Sequence, residues 1–359
     1  MFISKIQGRQ MKLLDTTLRD GSYVIDFKFS KQDTSELVKR LGKVGFEFIE
    51  VGHGIGLGAY RQKNTHALET DESYMKAAVD AADEAKVGVF CIPGIARLDD
   101  VDLAVDCGID FIRIGINVEE IEKAEKFISK AKKNKLFTAV NFMKSYVATP
   151  KEFTELVGNA QKMGADTCYL VDSAGNMTPK QVQEYFDAVK EKNTIGLSFH
   201  GHDNLGLATA NALKAFECGA EMIDVSLQGM GRSSGNTPAE NFVSLLDRLG
   251  IHHRFDLIDM MDIAEEVIRP KLSTIGLDTV DIVCGLAGFH SSYMSLIREF
   301  SMKYDIDPRK LIIAVCKENQ LEAPDELVER KAKMLKEIAN KSGWKHRFPL
   351  DRYFGNEQT

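Results

Sequence analysis

The 359-residue chain has no apolar run approaching the ~20 residues that a membrane-spanning helix needs. Its first stretch, Met1 to Lys12, is short and polar and lacks the apolar core of a secretory signal peptide. The six cysteines, Cys91, Cys107, Cys168, Cys218, Cys284 and Cys316, stand singly with no CxxC pair. That spacing speaks against a zinc cluster or a disulfide framework and suits free thiols in a reducing cytoplasm. There is no basic excess either. Against 46 Lys and Arg stand 53 Asp and Glu, and the net charge of −7 offers no global field for nucleic acid or an anionic membrane surface. No GxGxxG opens the first helical segment, so the usual mark of a dinucleotide-binding fold is missing. What remains is the composition of an ordinary globular protein, 44% hydrophobic and 28% charged, and a cytoplasmic location is expected.

Short, almost continuous apolar and β-branched runs recur at 11–17, 46–52, 87–92, 110–115, 136–142, 165–172, 195–200 and 222–228. This is the pattern of parallel strands buried on both faces. Amphipathic segments lie between them, among them 33–44, 71–85, 118–132, 150–163 and 179–191. Thr149-Pro150 and Thr178-Pro179 place a proline just after a capping threonine, a helix-start signal. Strands alternating with helices eight times predict an α/β fold, a (β/α)8 TIM barrel, in preference to a doubly wound sheet. From about residue 263 the strand rhythm stops, and 286–304, 308–318 and 324–341 read as helices. The expected organisation is a barrel over 11–265, a small all-helical C-terminal domain over 266–345 and a mixed basic and aromatic tail over 346–359.

In such a barrel, function gathers at the C-terminal ends of the strands. The first strand is followed by Arg19-Asp20-Gly21-Ser22-Tyr23, the second by His53-Gly54 and the sixth by Ser173-Ala174-Gly175. The seventh runs into His200-Gly201-His202-Asp203-Asn204. Two histidines two residues apart on an extended strand leave the same face, so both imidazoles can reach one metal ion. With Asp20 as a third ligand they make a facial two-His, one-carboxylate set with open positions. Arg19 has two readings: a structural ion pair with Glu50, or a cation beside the metal that stabilises a developing oxyanion. Ser173 either caps the next helix or donates to a substrate carboxylate. His53, among glycines, reads as structural or supporting. Asn236 and Glu240, at a helix start after a Gly-rich turn, read as caps or a phosphate site.

These residues together resemble a known group. Leu14-Asp15-Thr16-Thr17-Leu18-Arg19-Asp20-Gly21 with His200-Gly201-His202-Asp203-Asn204 is similar to the DRE-TIM metallolyase superfamily of lyase and synthase barrels, which includes HMG-CoA lyase. The 49–57 segment, Ile92-Pro93-Gly94-Ile95, Val171-Asp172-Ser173-Ala174-Gly175 and Gly229-Met230-Gly231 extend the likeness. The helical part, with 286–293, resembles the communication domain of the 4-hydroxy-2-oxovalerate aldolase branch. The resemblance implies a divalent metal, usually Mn2+ with Mg2+ or Co2+ as alternatives, and cleavage of a 4-hydroxy-2-oxo acid to pyruvate and an aldehyde. It assigns the metal ligands to Asp20, His200 and His202, the enolate-stabilising cation to Arg19, and substrate contacts to Arg19, Ser173 and His200. It also implies a docked aldehyde dehydrogenase or a homo-oligomer as partner.

One departure stands out. The branch has its catalytic histidine at the position of Tyr23 and a tyrosine at the position of His290, so this chain carries both residue types exchanged. A tyrosine with a pKa of ~10 is a poor base at neutral pH, whereas a histidine at ~6.5 is well matched. His290 is therefore expected to act as the base and Tyr23 to orient the aldehyde oxygen. Two other functions compete with the aldolase reading. One is an acetyl-CoA-dependent Claisen-type synthase of the isopropylmalate synthase kind, the other a non-catalytic scaffold. The intact Arg19, Asp20, His200 and His202 set argues against the scaffold.

Overall fold

The computed structural model describes residues 11–62, 66–232, 234–272, 279–280, 283, 287, 289, 293–319, 323–343 and 349–353. Eight parallel strands close into a barrel in sequence order: β1 (Leu13–Asp15), β2 (Phe48–Val51), β3 (Lys86–Cys91), β4 (Phe111–Asn117), β5 (Phe137–Met143), β6 (Thr167–Asp172), β7 (Gly196–Gly201) and β8 (Ile223–Val225). Closure comes from β8 pairing with β1, Leu14 opposite Asp224. The crossover helices are α1 (Lys31–Lys43), α2 (Asp71–Ala81), α3 (Leu98–Asp106), α4 (Glu125–Lys133), α5 (Pro150–Met163), α6 (Pro179–Lys192), α7 (Ala208–Glu217) and α8 (Ala239–Arg248). The expected TIM barrel is the observed fold.

Local chemistry accounts for several boundaries. Thr149 and Thr178 cap α5 and α6, each accepting from the backbone N–H three residues on, with Pro150 and Pro179 in the first turn. Strands β1 and β8 are only three residues each, shorter than their apolar runs. The Asp15 carboxylate takes the Thr17 N–H at 3.0 Å and its hydroxyl at 2.8 Å, which draws the chain out of the ladder. After β8 the chain turns away as Ser226 N–H donates to Thr237 O.

The chain divides into two compact units, Met1–Phe242 with His252–Leu272, and Val243–Ile251 with Ser273–Thr359. The first ends in α9 (Leu257–Ile263), which continues as a π-helical turn. In the second, α10 (Met294–Tyr304), α11 (Pro308–Cys316) and α12 (Asp325–Ser342) pack on one another. Asp307 caps α11 and forms a fully buried pair with Arg309 at 2.7 Å. Cys91, Cys107, Cys168, Cys218 and Cys316 are free thiols, and Cys284 lies outside the described residues. No helix among the described residues is long and apolar enough to cross a membrane.

Candidate active site

At the C-terminal end of the barrel a cleft of about 310 Å3 is lined by residues at the ends of, or in the loops after, β1, β2, β3, β5, β6, β7 and β8. His200 lies on β7 and His202 just beyond it, their rings 5.0 Å apart. Asp20 opens the 3-10 turn that follows β1. One potential ligand atom from each of the three lies within 4.8 Å of the other two, and all three residues are buried. Both imidazoles are oriented from behind. Nδ1 of His200 lies 2.8 Å from Asp224 Oδ2, and Nδ1 of His202 lies 3.2 Å from Gly235 O. A carboxylate and a carbonyl only accept, so both Nδ1 atoms carry the proton and each ring keeps Nε2 for the space shared with Asp20. Gly235 adopts φ +92°, and a Cβ there would lie 2.2 Å from Gly229 O, so the turn that holds His202 requires glycine.

The charge states suit a divalent cation. Burial alone would raise the Asp20 carboxyl. The Arg19 guanidinium, the two imidazoles and the Asn236 amide outweigh burial and hold it well below the usual carboxylate range. Burial, reinforced by His200, pushes His202 down to about 4, which leaves its ring neutral at physiological pH. One hard carboxylate and two imidazoles, that of His202 held neutral, are donors that a divalent transition metal accepts.

Arg19 forms the ion pair of its first reading and also lines the cleft. Its Nε donates to Glu50 Oε2 at 2.6 Å, and Nη1 donates to Asp20 Oδ1 at 2.6 Å and to Gly54 O at 3.4 Å. The guanidinium lies over the Phe90 ring, 4.5 Å from its centroid, and faces the cleft. The ion pair with Glu50 exists, and it aims the cation at the site. Ser173 lines the cleft and does not cap a helix; its Oγ accepts from Lys144 N–H at 2.9 Å, while Thr178 caps α6. Its hydroxyl hydrogen is therefore directed elsewhere.

Tyr23 also lines the cleft, with Arg232 over its ring at 5.7 Å. Burial, with the nearby Asp20 carboxylate, raises its phenol above the ordinary value. Gly54 makes room for it, since a Cβ there would lie 2.7 Å from the Tyr23 ring. His53 is stacked on Phe27 at 3.9 Å and accepts from Ile55 N–H through Nδ1, a structural placement outside the cleft lining. His290 lies outside the described residues.

Four buried residues have partners that the strand-end reading leaves open. Asn236 neither caps a helix nor waits for phosphate; its Nδ2 donates to Asp20 Oδ2 at 2.8 Å, and Glu240 accepts from Gln228 N–H at 3.0 Å. Arg113 on β4 and Asp224 on β8 lie inside the barrel, paired at 2.5 Å. A signal for both was present: each is a lone charge within an apolar strand, and a buried charge needs a partner.

Comparison with known proteins agrees with this geometry. A chain from Rhodococcus jostii (strain RHA1) named 4-hydroxy-2-oxovalerate aldolase 2 is 33% identical over 322 residues, 89% of this chain and 94% of that one. A 4-hydroxy-2-oxovalerate aldolase from Geobacillus genomosp. 3 is 34% identical over 84% of this chain and 90% of its own. The crystal structure of HMG-CoA lyase from Brucella melitensis superposes with a TM-score of 0.65 over 74% of this chain and 100% of that one, at 20% identity, a likeness of fold. With the HMGL-like family model matching residues 10–267, the span that supplies every strand of the barrel and all three members of the Asp20, His200 and His202 cluster, this chain belongs to the HMGL-like family.

Proposed function

We propose that this chain is a divalent-metal-dependent class II pyruvate aldolase of the cytoplasm, cleaving or forming a 4-hydroxy-2-oxo acid from pyruvate and an aldehyde. The observation that carries it is the convergence of Asp20, His200 and His202 beside the Arg19 guanidinium in one cleft. Relatives named 4-hydroxy-2-oxovalerate aldolase over most of the chain support the same reaction class. A divalent ion held by the three residues, Mn2+ foremost, would supply a Lewis acid for the 2-oxo acid.

The chain's own groups account for the rest of the chemistry. Arg19 spends Nε on Glu50 and Nη1 on Asp20 and Gly54, so Nη2 is left to donate to the oxygen that turns negative as C3–C4 breaks. Ser173 donates its hydroxyl to the substrate carboxylate, and His200 contributes to the same binding surface. His290 takes the proton of the C4 hydroxyl, the C3–C4 electron pair passes to the enolate, and the aldehyde leaves. Protonation at C3 then gives pyruvate. The raised phenol of Tyr23 suits a donor that orients the aldehyde oxygen and not a base. Within this reading residues 11–265 are the catalytic domain, 266–345 the helical domain where an aldehyde dehydrogenase or a second copy docks, and 346–359 a tail.

The test is to incubate the protein with pyruvate and a panel of aldehydes, with and without Mn2+ and acetyl-CoA, and to detect products by mass. Metal-dependent adducts of pyruvate plus aldehyde are expected. A product that requires acetyl-CoA would move the assignment to a Claisen-type synthase. Absence of any adduct together with absence of stoichiometric divalent metal would leave a scaffold.

A further inference from the structure

Glu50 on β2, Arg113 on β4, Tyr169 on β6 and Asp224 on β8 come from alternate strands and form one interior layer of the barrel. Such layers are ordinarily filled by bulky branched side chains. Two residues earlier on the same strand faces, Phe48, Phe111 and Met222 obey that rule and belong to the apolar core. The layer nearer the cleft is ionic instead, with Glu50, Arg113 and Asp224 each at most 1% exposed. Fold stability does not call for this, because apolar residues of similar volume generally serve a core as well as buried ions do.

The connectivity suggests what it is for. Arg113 grips both oxygens of Glu50, Nε to Oε1 at 2.7 Å and Nη2 to Oε2 at 2.6 Å, and its Nη1 reaches Asp224 Oδ2 at 2.5 Å. Glu50 Oε2 also takes Nε–H of Arg19, and Asp224 Oδ2 takes Nδ1–H of His200. Since Arg19 continues to Asp20 at 2.6 Å, charges of alternating sign run from one proposed metal ligand, Asp20, through Arg19, Glu50, Arg113 and Asp224 to the imidazole of another, His200. Arg113 is the middle of the run and is absent from the cleft lining.

We propose that Arg113 is a positioning residue that couples the two halves of the active site, holding Arg19 through Glu50 and His200 through Asp224 in one register. The inference rests on the aldolase reading of the same cleft. Its physical basis is the planar fork: only a guanidinium presents donors to two carboxylates in fixed directions, and neither carboxylate can move without dragging the other. A displacement on the metal side is then felt at Arg19, and the reverse.

The experiment compares wild type with Arg113→Lys, which keeps the charge but loses the fork, and with the isosteric Asp224→Asn, which leaves two cations against two anions in the run. Mn2+ binding to metal-free protein is measured by calorimetry. Folding is followed by near-UV circular dichroism, and deuterium exchange into the pyruvate methyl group by NMR. For Arg113→Lys we expect a native spectrum, an Mn2+ Kd raised ~10-fold or more, and a slower maximal exchange rate with little change in the KM for pyruvate. For Asp224→Asn the Mn2+ Kd rises ~10–100-fold. Combining the two substitutions should cost less than the product of the single effects, because both break one connection. Folded variants that bind Mn2+ as wild type does would overturn the coupling and leave the aldolase reading standing. A wild type that binds no divalent ion would overturn the metal assignment and the coupling with it.

Discussion

Two groups of residues in the cleft are built on different principles. At the proposed metal site Asp20, Arg19, His200 and His202 are buried and are each fixed by at least one charged or backbone partner. Elsewhere in the lining Tyr23, three residues along the 3-10 turn that Asp20 opens, is half-buried, while Lys144 and Arg232 are exposed on loops, Lys144 with φ +59°. The first group cannot change without disturbing a buried charge; the second can. Of the two exchanged residues, Tyr23 falls on the adjustable part, where substitution is least costly to the fold.

The comparison breaks most severely at the metal ligands. His200→Ala removes one ligand and the partner of Asp224, and the expected outcome is loss of bound metal and of all aldol activity, checked by metal analysis and pyruvate release. Full activity in that variant would sink the metal assignment. Arg19→Lys comes next. The charge survives but the fork to Glu50 and Asp20 does not, so a fall of ~10²–10³ in kcat is expected. A variant within about threefold of wild type would leave Arg19 purely structural, far below the loss typical of an oxyanion donor.

At the two exchanged residues the effects separate. His290→Ala should lower cleavage by ~10²-fold or more while metal binding stays intact. Tyr23→Phe should raise the KM for the aldehyde about tenfold and leave pyruvate methyl exchange within about threefold, since one oriented hydrogen bond is lost. Cleavage that survives His290→Ala but not Tyr23→Phe would reverse the two roles.

The smallest effect sharpens the contrast through pH. Burial, despite hydrogen bonds from Gln228, raises the Glu240 carboxyl from 4.5 to about 7. The folded chain therefore holds this proton where the unfolded chain has released it. The contribution of this group to stability is greatest below about pH 4.5 and is lost as pH rises through about 7, at most about 3 kcal/mol at 1.36 kcal/mol per unit. Glu240→Gln should flatten the dependence of Tm on pH between about 5 and 7 in thermal melts. An unchanged slope would show that Glu240 ionises freely in the fold.

Much of the site was legible from local patterns. An HxH on an extended strand sends both imidazoles to one face, and Asp20 follows an apolar run that behaves as a strand, so their meeting needed only the assumption of a closed barrel. Ser173 and Asn236 were recognised as polar residues at loop starts, but their partners were not: Ser173 is bound by Lys144 N–H, 29 residues away, and Asn236 reaches Asp20 across 216. Strand lengths at β1 and β8 were overestimated because hydropathy does not register the Asp15–Thr17 bonds that end the ladder.

By itself the sequence determined the barrel class, the order of its elements, the caps of α5 and α6, and the residue types able to bind a metal. These follow from periodicity and from contacts within a few residues. Only the tertiary structure decided that Arg113 would bridge Glu50, 63 residues away, and Asp224, 111 away, and so link Arg19 to His200. A lone charge in an apolar strand demands a partner, but closure of the barrel, which brings β2, β4 and β8 around one interior layer, determines which partner it meets.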